Sequence, residues 1–295
     1  MIEIRHRAVV DGGSIEHAYN DLYRERKLLM RDSFYLWLLE VSGARPGDLL
    51  VDVACGNGRL VQLAAARGVR AVGLDLALAG IVDAARASQH AQWIVGDGQC
   101  LPIPDGCADV VMSIGSLEHY ANPTEGVVQL ARIAKPDGLI CVLLPNAFGA
   151  LGNIRHVLRS GEVFDDEQPI QRYATRRTWE MMLQKGGVHI DRIVPYGEFN
   201  RPRTVSDLIW SAVKPQNISK ARLPSSHHSI WQTILCFCVD PLRARPRFTT
   251  RCCLTDGRRR ATFFSYQTAR SFQRRCHLSH LGLHDLPGTR HPVGL

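Results

Sequence analysis

Apolar runs of strand length alternate with amphipathic segments of helix length between residues 49 and 146. The run LLVDVA (49–54) is almost continuously apolar, which is typical of a strand in a parallel sheet that is covered on both faces. The next segment, GRLVQLAAARG (58–68), has helical periodicity and ends at a glycine. The alternation continues with strands predicted at 70–76, 91–97, 108–115 and 139–146, and helices predicted at 79–89 and 124–135. It predicts an α/β fold with a doubly wound, mostly parallel, seven-stranded sheet.

The flanking segments complete the predicted organisation. Apolar residues recur every three or four positions over 14–41, which predicts one long helix with Ser14 as its N-cap. After residue 146 the pattern is irregular until a helix predicted at 175–187 and a sixth strand predicted at 188–197. The predicted divisions are a leading helical segment (1–44), a core (45–197) with a capping insertion (about 146–187), an irregular segment with a possible last strand at 232–240 (198–240), and a basic tail (241–295).

The net positive charge of the chain comes from its tail. Residues 241–295 hold eleven Arg and two acids, so they carry +9 while residues 1–240 carry −1 of the total of +8. A nearly neutral body argues against nucleic acid as a partner, and the tail's Cys and His residues lack paired zinc-ligand spacing, so no metal is predicted. Our hypothesis is a break in the reading frame between about 215 and 229, which would leave the tail disordered or out of frame and the last strand missing or altered. The alternative is a basic arm that binds nucleic acid, and reading the DNA in all three frames distinguishes the two.

The turn after the first strand of the core, VDVACGNGRL (51–60), suggests a cofactor. The third glycine of a dinucleotide fingerprint is replaced by Val61, and no phosphate-binding G-x-x-x-x-G-K motif is present. Asp52 lies where a pyrophosphate would otherwise sit, and small residues at 54, 56 and 58 allow a ligand to approach the backbone. A carboxylate there favours a cationic amino-acid ligand. S-adenosyl-L-methionine has a sulfonium, an α-ammonium and no phosphate, so we predict that it is the cofactor.

Carboxylates at the next two strand ends agree with this prediction. Asp75 follows Gly56 by 19 residues, at the end of the second strand, where an acid can accept hydrogen bonds from ribose hydroxyls. Asp97 ends the third strand, where a carboxylate can accept a hydrogen bond from the adenine amino group. Each acid alone could also be a helix cap or a turn residue.

Five motifs in order carry a family resemblance: VDVACGNG, GLDLA, GDGQCLPIPDGCADVVMS, SLEHYANP and LARIAKPDGLICVLLPN. They resemble the motifs of class I S-adenosylmethionine-dependent methyltransferases, most nearly the small-molecule, quinone-biosynthesis-like group (methyltransferase type 11). The resemblance is dense over about 45–147 and looser to about 197. It implies a Rossmann-like sheet. Ala54 departs from it, since the family often has glycine there.

The resemblance also implies the site residues. It places Tyr19 as a candidate lid, and Glu118 and His119 close to the cofactor. The residues implied to bind the cofactor are Asp52, Ala54, Cys55, Gly56 and Gly58 for the methionine part, Asp75 and Leu76 for the ribose, Asp97 and Gly98 for the adenine, and Ser113, Gly115 and Ser116 beside the methyl group.

Three features keep two interpretations each. His119 is the candidate catalytic residue, as a general base, but it could instead hold loop structure, because methyl transfer depends mainly on positioning. Tyr19 and Tyr23 share a helix face and could pack against the core, and the alternative for Tyr19 is the lid. The acidic run 164–169 could be a solvated loop, or it could bind the acceptor or a metal.

The candidate acceptor-binding residues are Arg155, Arg172, Tyr173 and Trp179.

The predicted function is methyl transfer from S-adenosylmethionine to a small-molecule or lipid-like acceptor by in-line displacement, with O-, N- and C-methylation all open. The alternatives are an NAD(P)-dependent oxidoreductase and a non-catalytic or nucleic-acid-binding protein with the same fold. Unpaired cysteines in the body, no signal-like N-terminus and no apolar run long enough to span a membrane predict a cytoplasmic protein. The sequence predicts no oligomeric state.

Overall fold

A computed structural model describes residues 1–5, 15–25, 29–149, 153–196 and 234–240. The strands are β1 Ile2–Arg5, β2 Leu49–Val53, β3 Arg70–Asp75, β4 Gln92–Val95, β5 Ala108–Ile114, β6 Ala134–Pro145, β7 Ile170–Tyr173, β8 His189–Tyr196 and β9 Ile234–Asp240. The helices are α1 Ile15–Glu25, α2 Asp32–Ser42, α3 Arg59–Ala65, α4 Leu78–Ala87, α5 Pro123–Ile133, α6 Arg155–Ser160 and α7 Arg176–Lys185, with a short 3₁₀ turn at Leu117–His119.

The main sheet has the strand order β4-β3-β2-β5-β6-β9-β8. Strands β2 to β6 pair in parallel, and β9 runs antiparallel between β6 and β8. This confirms the predicted doubly wound, mostly parallel α/β fold. The chain order reverses between β2 and β5, and in such sheets ligands bind at the carboxyl ends of the strands beside this switch point.

The central strands are apolar throughout because both faces of the sheet are covered. On one face Val51, Val53 and Leu74 belong to a core that α5 and α7 complete. On the other face Leu50 and Met112 pack with residues of α2 and α3. Burial on both faces explains why the strands lack polar alternation.

The single leading helix predicted over 14–41 is wrong. Arg31 has an extended backbone (φ −69°, ψ 150°) and begins a second helix, α2. The two helices have different partners: Phe34 and Leu38 of α2 are buried in the core, whereas Asn20 of α1 accepts a hydrogen bond from Ala79 N at the start of α4. The break separates these two packing roles. The proposed N-cap, Ser14, lies outside the described residues.

Two further boundaries differ from the prediction. Residues 136–138, between the helix predicted at 124–135 and the strand predicted at 139–146, lie within β6, as a bulge where the pairing shifts from Ala108↔Ala134 to Val110↔Leu139. The insertion contains helix α6 and strand β7, and β7 pairs antiparallel with β1. Sequence periodicity missed this pair because each strand has four residues and every residue of β7 is buried.

The last part of the chain is described only at β9, which lies within the possible last strand at 232–240. The irregular segment up to 233 and the basic tail 241–295 lie outside the described residues. The reading-frame hypothesis therefore stays a prediction.

Candidate active site

The turn between β2 and α3 is built from left-handed backbone. Ala54, Gly56 and Gly58 have φ values of 62°, 56° and 70°. This conformation suits glycine but costs an L-residue with a Cβ roughly 1–2 kcal/mol. Ala54, the departure from the family pattern, is therefore a strained position within the turn.

Ala54→Gly is expected to relieve that strain. The gain is partly offset by the greater freedom of glycine in the unfolded chain, so the free energy of unfolding should rise by about 0.5 kcal/mol. Urea unfolding measures the change. The matched control is Ala66→Gly, because Ala66 has a right-handed backbone and its replacement should lower stability. A loss of stability in Ala54→Gly equal to the control's would contradict the strain.

Asp75 ties the end of β3 to the glycine turn. Its carboxylate accepts hydrogen bonds from Gly56 N (2.7 Å) and Ala77 N (2.8 Å). Burial raises its pKa to about 6, although these backbone N–H groups oppose the rise. Each oxygen keeps a second lone pair, so the carboxylate can hold the turn and still accept from ribose hydroxyls. Leu76 follows it and is half-buried.

Asp52 lies at the end of β2 and is 4% exposed. Its Oδ1 atom is buried and has no hydrogen-bond partner among the residues that the structure describes. Burial, together with the nearby charge of Asp75, raises its pKa well above the usual range. A buried carboxylate oxygen without a partner is costly in the free protein, and a bound cation would supply the missing hydrogen bond.

The sequence analysis missed Asn57, which lies in the same turn. Asn57 is 8% exposed, and within the described part of the chain neither its Oδ1 nor its Nδ2 atom has a hydrogen-bond partner. An amide supplies both donors and an acceptor, so it complements the carboxylate of Asp52. Its position between two glycines is the sequence signal that could have identified it, but the prediction for this turn used only the backbone.

The floor of the turn is formed by Trp93 of β4. A Cβ built on Gly73 would lie 2.6 Å from the Trp93 ring and 2.8 Å from Cys55 Sγ. The Trp93 ring also lies against Gly58. The side chain of Cys55 therefore packs over β3, so any contribution of Cys55 to ligand binding comes from its backbone.

Asp97 follows β4 and is half-buried. Its Oδ1 atom accepts a hydrogen bond from Gln99 N (2.8 Å), which fixes the turn. The neighbouring Gly98 is buried, and the hydroxyl of Tyr120 lies against it, so this position has no room for a side chain. The sequence analysis did not single out Tyr120, an aromatic residue directly after the SLEH segment.

Helix α1 lies over the glycine turn. Tyr23 contacts Gly56, since a Cβ there would lie 2.6 Å from Tyr23 Oη. Tyr19 donates to Gln168 Oε1 (3.4 Å), and its ring centroid is 6.5 Å from that of His119. Burial and neighbouring carboxylates raise the pKa of both tyrosines well above its usual value. Tyr19 thus contacts both the capping insertion and the turn after β5, as a lid residue would.

The turn after β5 places four predicted residues together. Ser113 and Ser116 are buried, and their hydroxyl oxygens lie 2.6 Å apart. Gly115 between them is exposed and has a φ of 63°. His119 is 6% exposed, and its Nδ1 atom lies within hydrogen-bond distance of the Ile170 carbonyl of β7. The other ring nitrogen, Nε2, lies 3.8 Å from Glu118 Oε1.

Three of the four suggested acceptor residues have other roles. Arg172 is 3% exposed, and its guanidinium donates to Glu3 Oε2 (2.6 Å) and to the carbonyls of Glu118 (3.1 Å) and Tyr120. Trp179 is fully buried and donates to Pro145 O (2.7 Å), and Tyr173 is also fully buried. Arg172 therefore holds the turn after β5, and the two aromatic residues belong to the core. Arg155 is exposed.

The acidic run 164–169 lies beside the site. Asp166 Oδ2 accepts from Gln168 Nε2 (2.8 Å), and Gln168 also accepts from Tyr19. The charge of Asp166 raises the pKa of both Tyr19 and Glu118. The run therefore contacts Tyr19 of α1 through Gln168, while Asp165 and Glu167 are exposed.

The residues fit S-adenosylmethionine. Unpartnered atoms of Asp52 and Asn57, a glycine turn without room for side chains, and carboxylates after β3 and β4 suit an ammonium, a backbone-contacting amino acid and a nucleoside. Among the described residues no three His, Cys, Asp or Glu side chains are grouped as metal ligands would be, and no helix has the length and apolar character needed to cross a membrane.

Comparisons with known proteins agree with this reading. Residues 51–142 match the model of a methyltransferase domain family. The chain is 33% identical over 104 residues to the malonyl-[acyl-carrier protein] O-methyltransferase of Serratia marcescens, covering 35% of this chain and 40% of the relative. It is 33% identical over 112 residues to the 2-phytyl-1,4-naphtoquinone methyltransferase of Synechocystis sp., covering 35% and 47%. The chain thus spans less than half the length of these relatives.

Solved structures share the fold. A chain from the Haloferax volcanii complex of the Trm112 methyltransferase activator with a methyltransferase aligns with a TM-score of 0.55 at 18% identity, over 77% of this chain and 98% of its own length. Geranyl diphosphate C-methyltransferase from Streptomyces coelicolor, solved with S-adenosyl-L-homocysteine, aligns with a TM-score of 0.51 at 17% identity, over 70% and 75%. The fold, the order of the motifs and the matching family model together identify this chain as carrying a class I S-adenosylmethionine-dependent methyltransferase domain.

Proposed function

We propose that this protein transfers a methyl group from S-adenosylmethionine to a small-molecule or lipid-like acceptor. The observation that carries the proposal is the buried, unpartnered Oδ1 of Asp52 beside the glycine turn. It supports a cationic amino-acid ligand, whereas a pyrophosphate would be repelled there. When bound, the cofactor supplies an electrophilic methyl group on a positively charged sulfur.

The chain's own residues then have distinct tasks. Asp52 and Asn57 hold the amino-acid part, Asp75 the ribose and Asp97 the adenine. Tyr19 and Tyr23 of α1 exclude water from the glycine turn. The turn Ser113–Ser116 faces the methyl group, and His119 is the candidate general base. Holding acceptor and methyl group in line supplies most of the rate acceleration in such a displacement.

A lipid-like acceptor is supported by the surface of the capping insertion. Phe148, Val157 and Leu158 are 64%, 40% and 81% exposed, although apolar. Arg155 and Arg159 on α6 are also exposed. Exposed apolar and basic side chains together suit an acceptor that has a long apolar part and lies at an anionic lipid surface.

Calorimetric titration of the full chain with S-adenosyl-L-homocysteine and with NADH tests the proposal. We expect micromolar or tighter binding of S-adenosyl-L-homocysteine and no heat with NADH. Binding of NADH alone would overturn the proposal in favour of an oxidoreductase. Binding of neither ligand would leave a non-catalytic domain and overturn it equally.

A further inference from the structure

Glu118 is a buried carboxylate that the tasks above do not use. It is 4% exposed, and among the described residues its Oε2 atom has no hydrogen-bond partner. Its Oε1 atom lies 3.8 Å from His119 Nε2, which is too long for a hydrogen bond. A buried carboxylate oxygen is strongly destabilising without a donor, so this atom is suited to receive one from a ligand.

The neighbouring cation does not neutralise this carboxylate by direct contact. Arg172 directs its guanidinium to the backbone carbonyls of Glu118 and Tyr120 and to Glu3. Arg172 therefore fixes the backbone of Glu118 and leaves its carboxylate group for another partner.

The location of Glu118 is the methyl end of the proposed cofactor site. A Cβ built on Gly115 would lie 3.7 Å from Glu118 Oε1. Gly115 is exposed whereas Glu118 is buried, so Gly115 lies between the solvent and the carboxylate. The residues Ser113–Ser116 are those proposed to face the methyl group, and Glu118 adjoins them.

We infer that Glu118 Oε2 receives the O–H or N–H of the acceptor nucleophile, so that the acceptor is a hydroxyl or an amine rather than a carboxylate or phosphate anion. The inference rests on the proposed function. A carboxylate acceptor would place a second negative charge beside Glu118 and Asp166, whose charges already oppose each other.

The step balances without any further reagent. The acceptor oxygen or nitrogen forms a bond to the methyl carbon, and the carbon–sulfur bond breaks with its electron pair remaining on sulfur. The proton of the nucleophile passes to Glu118 Oε2, so Glu118 takes the general-base task for which His119 is the candidate above. The products are the methylated acceptor, S-adenosyl-L-homocysteine and a neutral Glu118, which then loses its proton to water.

The charges around Glu118 determine the pH at which it acts. Burial raises its pKa to about 7, with His119 and Arg172 lowering it and Asp166 raising it. Tyr19 and Tyr120 also face it, and its charge raises their pKa. The carboxylate form, which accepts the proton, therefore becomes more populated as the pH rises through about 7.

Sinefungin tests the inference without a known acceptor, because it carries an amine on the carbon that replaces the methylsulfonium. Its ammonium therefore takes the place of the methyl group, next to the position that the acceptor's O–H or N–H would occupy, and it can donate to Glu118. We expect wild-type protein at pH 8 to bind sinefungin at least 10-fold more tightly than S-adenosyl-L-homocysteine, and this preference to decline below pH 7. In Glu118→Gln the preference and its pH dependence should disappear while S-adenosyl-L-homocysteine affinity is unchanged. Glu125→Gln on α5 is the control and should behave as wild type.

The outcomes separate the two proposals. If wild type binds S-adenosyl-L-homocysteine but Glu118→Gln keeps the sinefungin preference, the inference about Glu118 is wrong and the proposed function stands. If Glu118→Gln loses both ligands equally, Glu118 shapes the whole cofactor site and the inference is also wrong. If wild type binds neither ligand, the proposed function itself fails.

Discussion

Asp52→Asn is expected to weaken S-adenosyl-L-homocysteine binding by about 10- to 150-fold, the value of a charge-assisted hydrogen bond to a buried group. The same change should raise the free energy of unfolding of the ligand-free protein by about 1 kcal/mol. The pKa of Asp52 is higher in the folded chain than in the unfolded chain, so above the unfolded value the ionised carboxylate opposes folding. Asparagine keeps the shape without that charge.

Two ligands identify the contact. S-adenosyl-L-homocysteine has the α-ammonium, whereas 5′-methylthioadenosine has the same nucleoside and sulfur without the amino-acid part. Calorimetry should show that Asp52→Asn affects the first and not the second. Asp105→Asn, on an exposed turn where its side chain is 79% exposed, is the control. An equal loss for both ligands would show that Asp52 shapes the whole pocket rather than binding the ammonium.

Arg172→Met is expected to lower the free energy of unfolding by about 3–5 kcal/mol. The substitution leaves buried carbonyls of the turn after β5 without donors, and each costs about 1–3 kcal/mol. Methionine keeps most of the apolar volume of the side chain, so the decrease in the free energy of unfolding measures the contribution of the hydrogen bonds. Urea unfolding measures the change. Arg172→Lys keeps the charge but not the planar set of donors, so its free energy of unfolding should lie between those of wild type and Arg172→Met.

The neighbouring helix offers a matched control. Arg176 of α7 also pairs with a carboxylate, Glu180, but its side chain is 64% exposed. Exposed ion pairs contribute about 0–1 kcal/mol, so Arg176→Met should cost at most that much. Equal losses in the two variants would mean that Arg172 does not hold the turn.

Part of the site could be predicted from local sequence. Asp52 and Asp75 lie at the ends of β2 and β3, and Asp97 follows β4. The apolar patterns of these strands are clear in the sequence, and parallel strands bring such ends to one edge of a sheet. The pairs Asp52–Asp75 and Gly56–Asp75 are close in the structure. The roles of these residues toward a ligand stay predictions. Asn57 and Tyr120 were missed because their side chains matter through burial and contact, which no spacing in the sequence reveals.

The sequence by itself determined the order of strands and helices between residues 49 and 146, the doubly wound class and the acids at the strand ends, because apolar runs of strand length and period-3.6 patterns are local and lie within each element. Only the tertiary structure decided that the leading helix is broken at Arg31, that β1 pairs with β7, and that Arg172 holds the turn of Glu118 and His119 instead of an acceptor. The Arg172–Glu3 pair joins residues 169 positions apart. Such a contact depends on how the whole chain packs, and the pattern around either residue alone does not encode its partner.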